Sequence, residues 1–180
     1  MAGIGFELRK VIGKGGLGSF VQVAFSGIMI VAGPWLMSIL GITLIQQFIS
    51  KWVGDAALFT ATVIYSFAWS MVLFGGLHLI YTRIVADLLF EKKESLASGA
   101  LVFFLVLVAA ASLAVSLPVY FVFNLKLPRP GLYRLAAGLL FLSINLVWIL
   151  MIFMSLLKRY ILILLIYAAG IGVAVILVQV

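Results

Sequence analysis

Long apolar runs alternate with short polar segments along this chain, and five of the runs are long enough to cross a bilayer as helices. A helix rises ~1.5 Å per residue, so about 20 apolar residues cross the ~30 Å hydrocarbon core. The predicted spans are residues 20–49, 57–80, 99–123, 135–157 and 161–180. Transmembrane strands would need alternating segments of about ten residues, and the sequence has none. The pattern predicts an all-α, polytopic transmembrane helix bundle.

Composition supports this class, since 66% of the 180 residues are apolar and 9% are charged. Soluble domains carry roughly 25% charged residues. The net charge of +7 lies in small groups between apolar runs, which is typical of topology signals and headgroup contacts rather than of nucleic-acid binding. The chain has no cysteine, one histidine and five acids. We therefore expect no metal site, no cofactor and no enzymatic activity.

The first 19 residues predict an amphipathic lead that precedes the bundle of residues 20–180. Apolar residues at helical spacing oppose charged ones; these are Ile4, Leu8, Val11 and Ile12 against Glu7, Arg9, Lys10 and Lys14. A signal peptide is disfavoured because the next apolar run is too long and has no small-residue cleavage site. An interfacial helix on the cytoplasmic surface is the better interpretation.

Polar and helix-breaking residues interrupt the first predicted span. Gly33, Pro34 and Trp35 lie at its centre, and Pro34 predicts a kink because it lacks a backbone donor and clashes one turn back. Gln22 and Ser26 lie one helical turn apart. Either Gln22 hydrogen-bonds a neighbouring helix, or this face lines a polar cavity.

The deeper spans carry few polar side chains. In the second span Thr62, Ser66 and Ser70 repeat every four residues, a stripe that favours close helix packing or a wetted path. Asn145 lies at mid-depth in the fourth span and must face protein or water, because hydrocarbon offers no hydrogen bond.

The densest group of ionisable residues follows the second span. Arg83 and Asp87 lie one turn apart and can form an ion pair, which fits a structural pin or a gate equally. His78 fits a proton relay or a hydrogen bond to a backbone carbonyl. We assign His78, Thr82, Arg83 and Asp87 to a cytoplasmic-end pin or gate, and Glu91, Lys92, Lys93 and Glu94 to partner docking.

The third span offers another close-packing face through residues 109–112 and Ser116, and Pro118 is expected to bend its outer end. Residues 124–134 then predict a turn rather than a helix, because they include Pro128 and Pro130.

Lysine and arginine counts predict a cytoplasmic amino terminus. Eight cations fall on the side of the amino terminus: Arg9, Lys10, Lys14, Arg83, Lys92, Lys93, Lys158 and Arg159. Four fall on the other side: Lys51, Lys126, Arg129 and Arg134. Three of these four lie in residues 126–134, which is unusually basic for an external loop.

Three stretches together resemble the PelG family of bacterial Pel exopolysaccharide synthesis. Met1–Lys10 (MAGIGFELRK) is similar to the family's start, and Ala32–Trp35 (AGPW) resembles its Gly-Pro-Trp element. Tyr81–Glu91 (YTRIVADLLFE) resembles its Thr-Arg-x-Val-Ala-Asp-x-Leu-Phe segment. Clear similarity covers residues 1–94, and only the hydropathy pattern agrees beyond them.

The resemblance implies membership of the flippase-like MOP exporter superfamily, in which two helical bundles face a central cavity and work by alternating access. Such a protein would move an amino-sugar polymer across the bacterial inner membrane, and Gln22, Ser26 and Asn145 are then the candidates to line its translocation path. Its partners would be membrane lipid, the polysaccharide, a cytosolic glycosyltransferase and other Pel membrane subunits. Because the family is more than twice as long, with about twelve spans, the chain is expected to be most of the first bundle, truncated at its carboxyl end.

A non-transporting scaffold that docks the glycosyltransferase and other synthase subunits through the cytoplasmic loops is the main alternative. An ion-coupled drug exporter is a weaker one, because no acid lies deep in any predicted span.

Overall fold

A computed structural model describes residues 38–47, 56–122, 130–157 and 159–179, and helices form nearly all of them. The helices are α1 (Ser38–Gln47), α2 (Ala56–Phe90), α3 (Glu94–Val122), α4 (Pro130–Leu156) and α5 (Tyr160–Gln179). By length and apolar composition α2, α3 and α4 can each cross a membrane, and α1 and α5 are shorter apolar helices. The predicted all-helical membrane bundle is confirmed. The amphipathic lead, Gln22, Ser26 and the Gly33–Trp35 element lie outside the described residues.

The chain divides into two compact units, one holding α2–α4 and the other holding α1 and α5. In the second unit Gly41 of α1 is buried against α5. A Cβ placed on Gly41 would lie 2.8 Å from Ile171 Cγ1, closer than real Cβ contacts. The missing side chain therefore permits this close helix approach.

Helix α2 continues ten residues beyond the predicted end of its span, at residue 80, and reaches Phe90. Its 35 residues give a length of about 52 Å at ~1.5 Å per residue. Hydropathy falls after residue 80, but α2 remains packed against its neighbours, because Tyr81 and Val85 are both fully buried in the apolar core. The charged residues of this extension thus stand on the exposed face of a helix that remains packed.

A tight turn of Glu91, Lys92 and Lys93 joins α2 to α3. Lys92 has a φ of 59°, and its amide donates to the Leu89 carbonyl at 3.2 Å, while the Lys93 amide donates to the Leu88 carbonyl at 2.9 Å. This pair of bonds is the Schellman pattern that ends a helix at a left-handed residue. The two helices therefore form a closely connected hairpin.

Helix α4 begins at Pro130, inside the segment expected to form a turn. The expectation of a turn through Arg134 was wrong. Proline is favoured in the first turn of a helix, where its missing N–H would have no partner and its fixed φ is already helical. Pro118 lies inside α3, one turn before that helix ends.

The contacts fix how α2, α3 and α4 run. Along α2 and α4, Thr62 meets Tyr133 and His78 meets Trp148, so partners advance in the same direction and the helices are parallel. Helix α3 is antiparallel to α4, since Ser116 lies beside Gly138 and Tyr120 contacts Arg134. The buried core lies among all three helices and comprises Phe74, Tyr81, Val85, Phe104, Val108, Phe141 and Ile149.

Candidate functional site

Each helix of the α2–α4 unit contributes one fully buried polar side chain. These are Ser70 of α2, Ser112 of α3 and Asn145 of α4, all with 0% exposure. All three are neutral, and they turn inward because lipid would leave their polar atoms without hydrogen bonds. We call this set the buried polar triad.

Ser70 and Asn145 are joined directly across the α2–α4 interface. The Ser70 hydroxyl donates to Asn145 Oδ1 at 2.6 Å, and Asn145 Nδ2 donates to the Phe141 carbonyl at 2.9 Å, one turn back along α4. Asn145 thus has the partner that its sequence position required. The bond closes this level of the interface, and a path lined by Asn145 requires α2 and α4 to part there.

Ser112 differs from the other two members of the triad. Its hydroxyl is buried and has no hydrogen-bond partner among the described residues. Other hydroxyls in these helices bond a carbonyl one turn back, as Thr62 does to Leu58 at 2.7 Å and Ser98 does to Glu94 at 3.0 Å. The interior of the α2–α4 unit therefore contains a hydroxyl group, that of Ser112, without a hydrogen-bond partner among the described residues.

Aromatic side chains flank the triad on the side of the α2 carboxyl end. Phe74 and Phe141 pack edge to face with ring centroids 5.9 Å apart, and the His78 and Trp148 rings lie 6.1 Å apart. His78 is half-buried, and its Nε2 atom has no hydrogen-bond partner among the described residues. These rings lie between the Ser70–Asn145 bond and the charged end of α2.

The opposite end of the interface carries one further polar contact, between the Thr62 hydroxyl and the Tyr133 hydroxyl. The serine-threonine stripe predicted on α2 thus faces α4 at two levels, through Thr62 and Ser70. Sequence reasoning missed Tyr133, because it placed this residue in a loop.

Four residues predicted to act as a pin or gate lie on α2, but their side chains point into different surroundings. Arg83 Nε lies 3.0 Å from Asp87 Oδ2, so the predicted pair forms, with 80% and 54% of the two side chains exposed. The Thr82 hydroxyl donates to the His78 carbonyl at 2.7 Å. The structure thus separates an exposed ion pair from a half-buried histidine, and a role for either as pin or gate stays a prediction.

The residues predicted to dock a partner form the tip of the α2–α3 hairpin. Glu91, Lys92, Lys93 and Glu94 are all exposed, and Lys93 Nζ lies 2.6 Å from Glu91 Oε2. Within the described residues, no cluster of His, Asp or Glu side chains could hold a metal ion.

The family model of PelG, whose description reads "Putative exopolysaccharide Exporter (EPS-E)", matches residues 1–180. The match extends past residue 94, where the sequence showed only a similar hydropathy pattern, and includes the whole α2–α4 unit. No curated protein was found to match the chain. No solved structure was found to match it either.

Proposed function

Because this chain belongs to the PelG family of exopolysaccharide exporters, we propose that it forms the amino-terminal bundle of a transporter that moves an amino-sugar polymer across the bacterial inner membrane by alternating access. The observation that carries this proposal is the neutral character of the buried polar triad. Hydroxyl and amide groups suit a neutral sugar polymer, whereas a carboxylate at depth would suit ion coupling. The family is one of exporters, not of a known enzyme class.

Alternating access requires two arrangements of similar free energy. In the arrangement described here Ser70 and Asn145 close the α2–α4 interface. In the other arrangement this pair separates, and Asn145 lines the path. An interhelical hydrogen bond in a membrane averages ~0.6 kcal/mol, up to ~1.7, so contacts with the polymer can replace it.

Cysteine labelling tests this proposal directly, since the chain has no native cysteine. Asn145→Cys should react with a membrane-impermeant thiol reagent while the polymer is being made, and should be protected when synthesis stops. Val147→Cys, two residues along α4 at a position that is 42% exposed, is the matched control; if it faces lipid, it should not react in either condition. Normal polymer export by Asn145→Leu, or no labelling at residue 145 in either condition, would overturn the proposal.

Sidedness is part of the same proposal. A cytoplasmic amino terminus places the tip of the α2–α3 hairpin in the cytoplasm, since Arg83, Lys92 and Lys93 belong to the more basic side. A cytosolic glycosyltransferase could then deliver polymer beside this tip. Fusing a cytoplasm-active reporter at residue 92 and a periplasm-active one at residue 127 checks the orientation.

The exposed hairpin tip also favours a second candidate function, a non-transporting scaffold that holds the glycosyltransferase and other synthase subunits. Reversing the charges with Glu91→Lys and Lys93→Glu retains the ion pair across the turn but inverts the surface presented. Loss of glycosyltransferase co-purification would support docking at this tip, and it would favour the scaffold if residue 145 is also not labelled in either condition. Normal co-purification would remove the support for docking at this tip.

A further inference from the structure

A groove runs along the outer surface of the α2–α4 unit between α3 and α4, and neither the polymer path nor the docking tip uses it. Its volume is about 340 Å³, within the range of ligand pockets. Its walls are almost entirely apolar and comprise Leu113, Leu117, Phe121, Leu135 and Leu139, each of which is exposed. The groove therefore offers a surface for an extended hydrocarbon chain.

One end of the groove is polar and cationic. Arg134 Nη1 donates to the Tyr120 carbonyl at 3.0 Å, and the guanidinium carbon lies 5.9 Å from the centre of the Tyr120 ring. Tyr120 Oη in turn lies 3.6 Å from the position a Cβ would take on Gly131, in the first turn of α4. These contacts hold the guanidinium half-buried where the apolar walls meet the end of the helices.

The sequence near Arg134 carries charge of one sign only. Lys126 and Arg129 precede Arg134 in the sequence, and no Asp or Glu occurs anywhere after Glu94. A guanidinium recognises phosphate through paired hydrogen bonds, and anionic lipids are the negative charges available at a membrane surface.

We propose that this groove binds an anionic phospholipid, with one acyl chain along the leucine walls and the phosphate at Arg134. A soluble anion would make no use of the apolar walls, and a neutral or cationic sugar polymer would gain nothing from the cations. The site does not depend on the export function, because a scaffold could hold a lipid in the same way.

Native mass spectrometry of the detergent-purified protein tests the proposal with phosphatidylglycerol, phosphatidylcholine of the same acyl chains, and glycerol phosphate as the headgroup alone. Phosphatidylglycerol should bind about fivefold more tightly than phosphatidylcholine, the factor expected for one cation near an anionic headgroup. Arg134→Gln should abolish this preference, and Arg134→Lys should retain most of it. Leu139→Trp, which fills the groove, should weaken binding of both lipids.

Two control variants separate the groove from general effects of charge and bulk. Arg83→Gln removes an exposed cation from α2, and Leu150→Trp enlarges an exposed leucine of α4 outside the groove. Both should bind each lipid as the wild-type protein does.

The proposal is overturned by equal wild-type affinity for the two lipids, by an unchanged preference in Arg134→Gln, or by unchanged binding in Leu139→Trp. Binding of glycerol phosphate with the same affinity as phosphatidylglycerol would also overturn the proposal, because it would indicate a site for a soluble anion. Should Arg134→Gln fail to fold, Leu139→Trp and Arg134→Lys still decide.

Discussion

The Ser70 hydroxyl donates a 2.6 Å hydrogen bond to Asn145 Oδ1 while neither side chain has any exposed surface. The two residues are 75 positions apart and lie on parallel helices. Within a membrane, such a bond is one of the few polar interactions that can set the register of two apolar helices.

We expect Ser70→Ala to destabilise the protein by ~0.5–1.5 kcal/mol, because Asn145 Oδ1 loses its donor while Nδ2 keeps the Phe141 carbonyl. Reversible unfolding in mixed detergent, followed by circular dichroism, measures the change. Ser98→Ala is the control, since that exposed hydroxyl bonds only its own helix. A double-mutant cycle with Asn145→Ala should give a coupling energy of the same size. Independent effects of the two substitutions would show that the bond contributes nothing.

Tyr81 provides a prediction of opposite sign. Its ring is fully buried, 4.9 Å from the Phe104 ring, but its hydroxyl has no hydrogen-bond partner among the described residues. Tyr81→Phe should therefore leave the free energy of unfolding unchanged or raise it. Tyr81→Ala should lower it by ~2–4 kcal/mol, because it empties a packed site.

Tyr65→Ala is the matched control for the loss of ring volume, since Tyr65 lies on the same helix and is 66% exposed. It should change the stability far less than Tyr81→Ala does. A clear loss of stability in Tyr81→Phe would mean that the hydroxyl has a polar partner in the membrane.

A side chain added at Gly41 is expected to clash in the unit of α1 and α5. A methyl group there would come within 2.8 Å of Ile171 Cγ1, so Gly41→Ala should cost ~1–3 kcal/mol by overpacking. Gly172→Ala is the control, because a Cβ at Gly172 meets nothing within 4 Å, and it should be neutral or stabilising by up to ~1 kcal/mol. Adding Ile171→Ala to Gly41→Ala should remove most of the penalty. Additive losses would argue against the contact.

The Arg83–Asp87 pair is expected to contribute little to stability. With 80% and 54% of the side chains exposed, an ion pair one helical turn apart contributes ~0.3–0.5 kcal/mol. Arg83→Gln should therefore unfold within ~0.5 kcal/mol of the wild-type protein. A larger loss would support the structural pin. A loss of polymer export at normal stability would support the gate, and Asp87→Asn should then behave in the same way.

The sequence predicts the helices better than it predicts their partners. The sequence predicts that Asn145 needs a hydrogen-bond partner, because hydrocarbon supplies none. It also shows that Ser70 belongs to the serine-threonine stripe of α2. Nothing local pairs them, since the register of α2 against α4 depends on how Phe74, Phe141 and the other core residues pack. The ends of the helices were also uncertain from hydropathy alone. Hydropathy measures affinity for lipid, whereas α2 continues past residue 80 because Tyr81 and Val85 are buried against protein.

Ser112 and the α3–α4 groove lay beyond sequence reasoning for a related reason. A serine in a small-residue face reads as a packing residue, and only the three-dimensional arrangement shows its hydroxyl enclosed without a partner. The groove arises from the antiparallel contact of Ser116 with Gly138 and from the position of Arg134. The excess positive charge of residues 126–134 could be read from the sequence, but the groove at Arg134 could not.

The length of α2 has a geometrical consequence for any partner that binds the α2–α3 turn. At about 52 Å for its 35 residues, the helix exceeds the ~40–45 Å of a whole bilayer with its headgroups. The additional length lies at the charged end of α2, where the helix remains packed against α3. With its axis along the bilayer normal and its amino end at one membrane face, α2 would carry the α2–α3 turn beyond the headgroups of the other face, where a partner protein could bind it without contacting lipid.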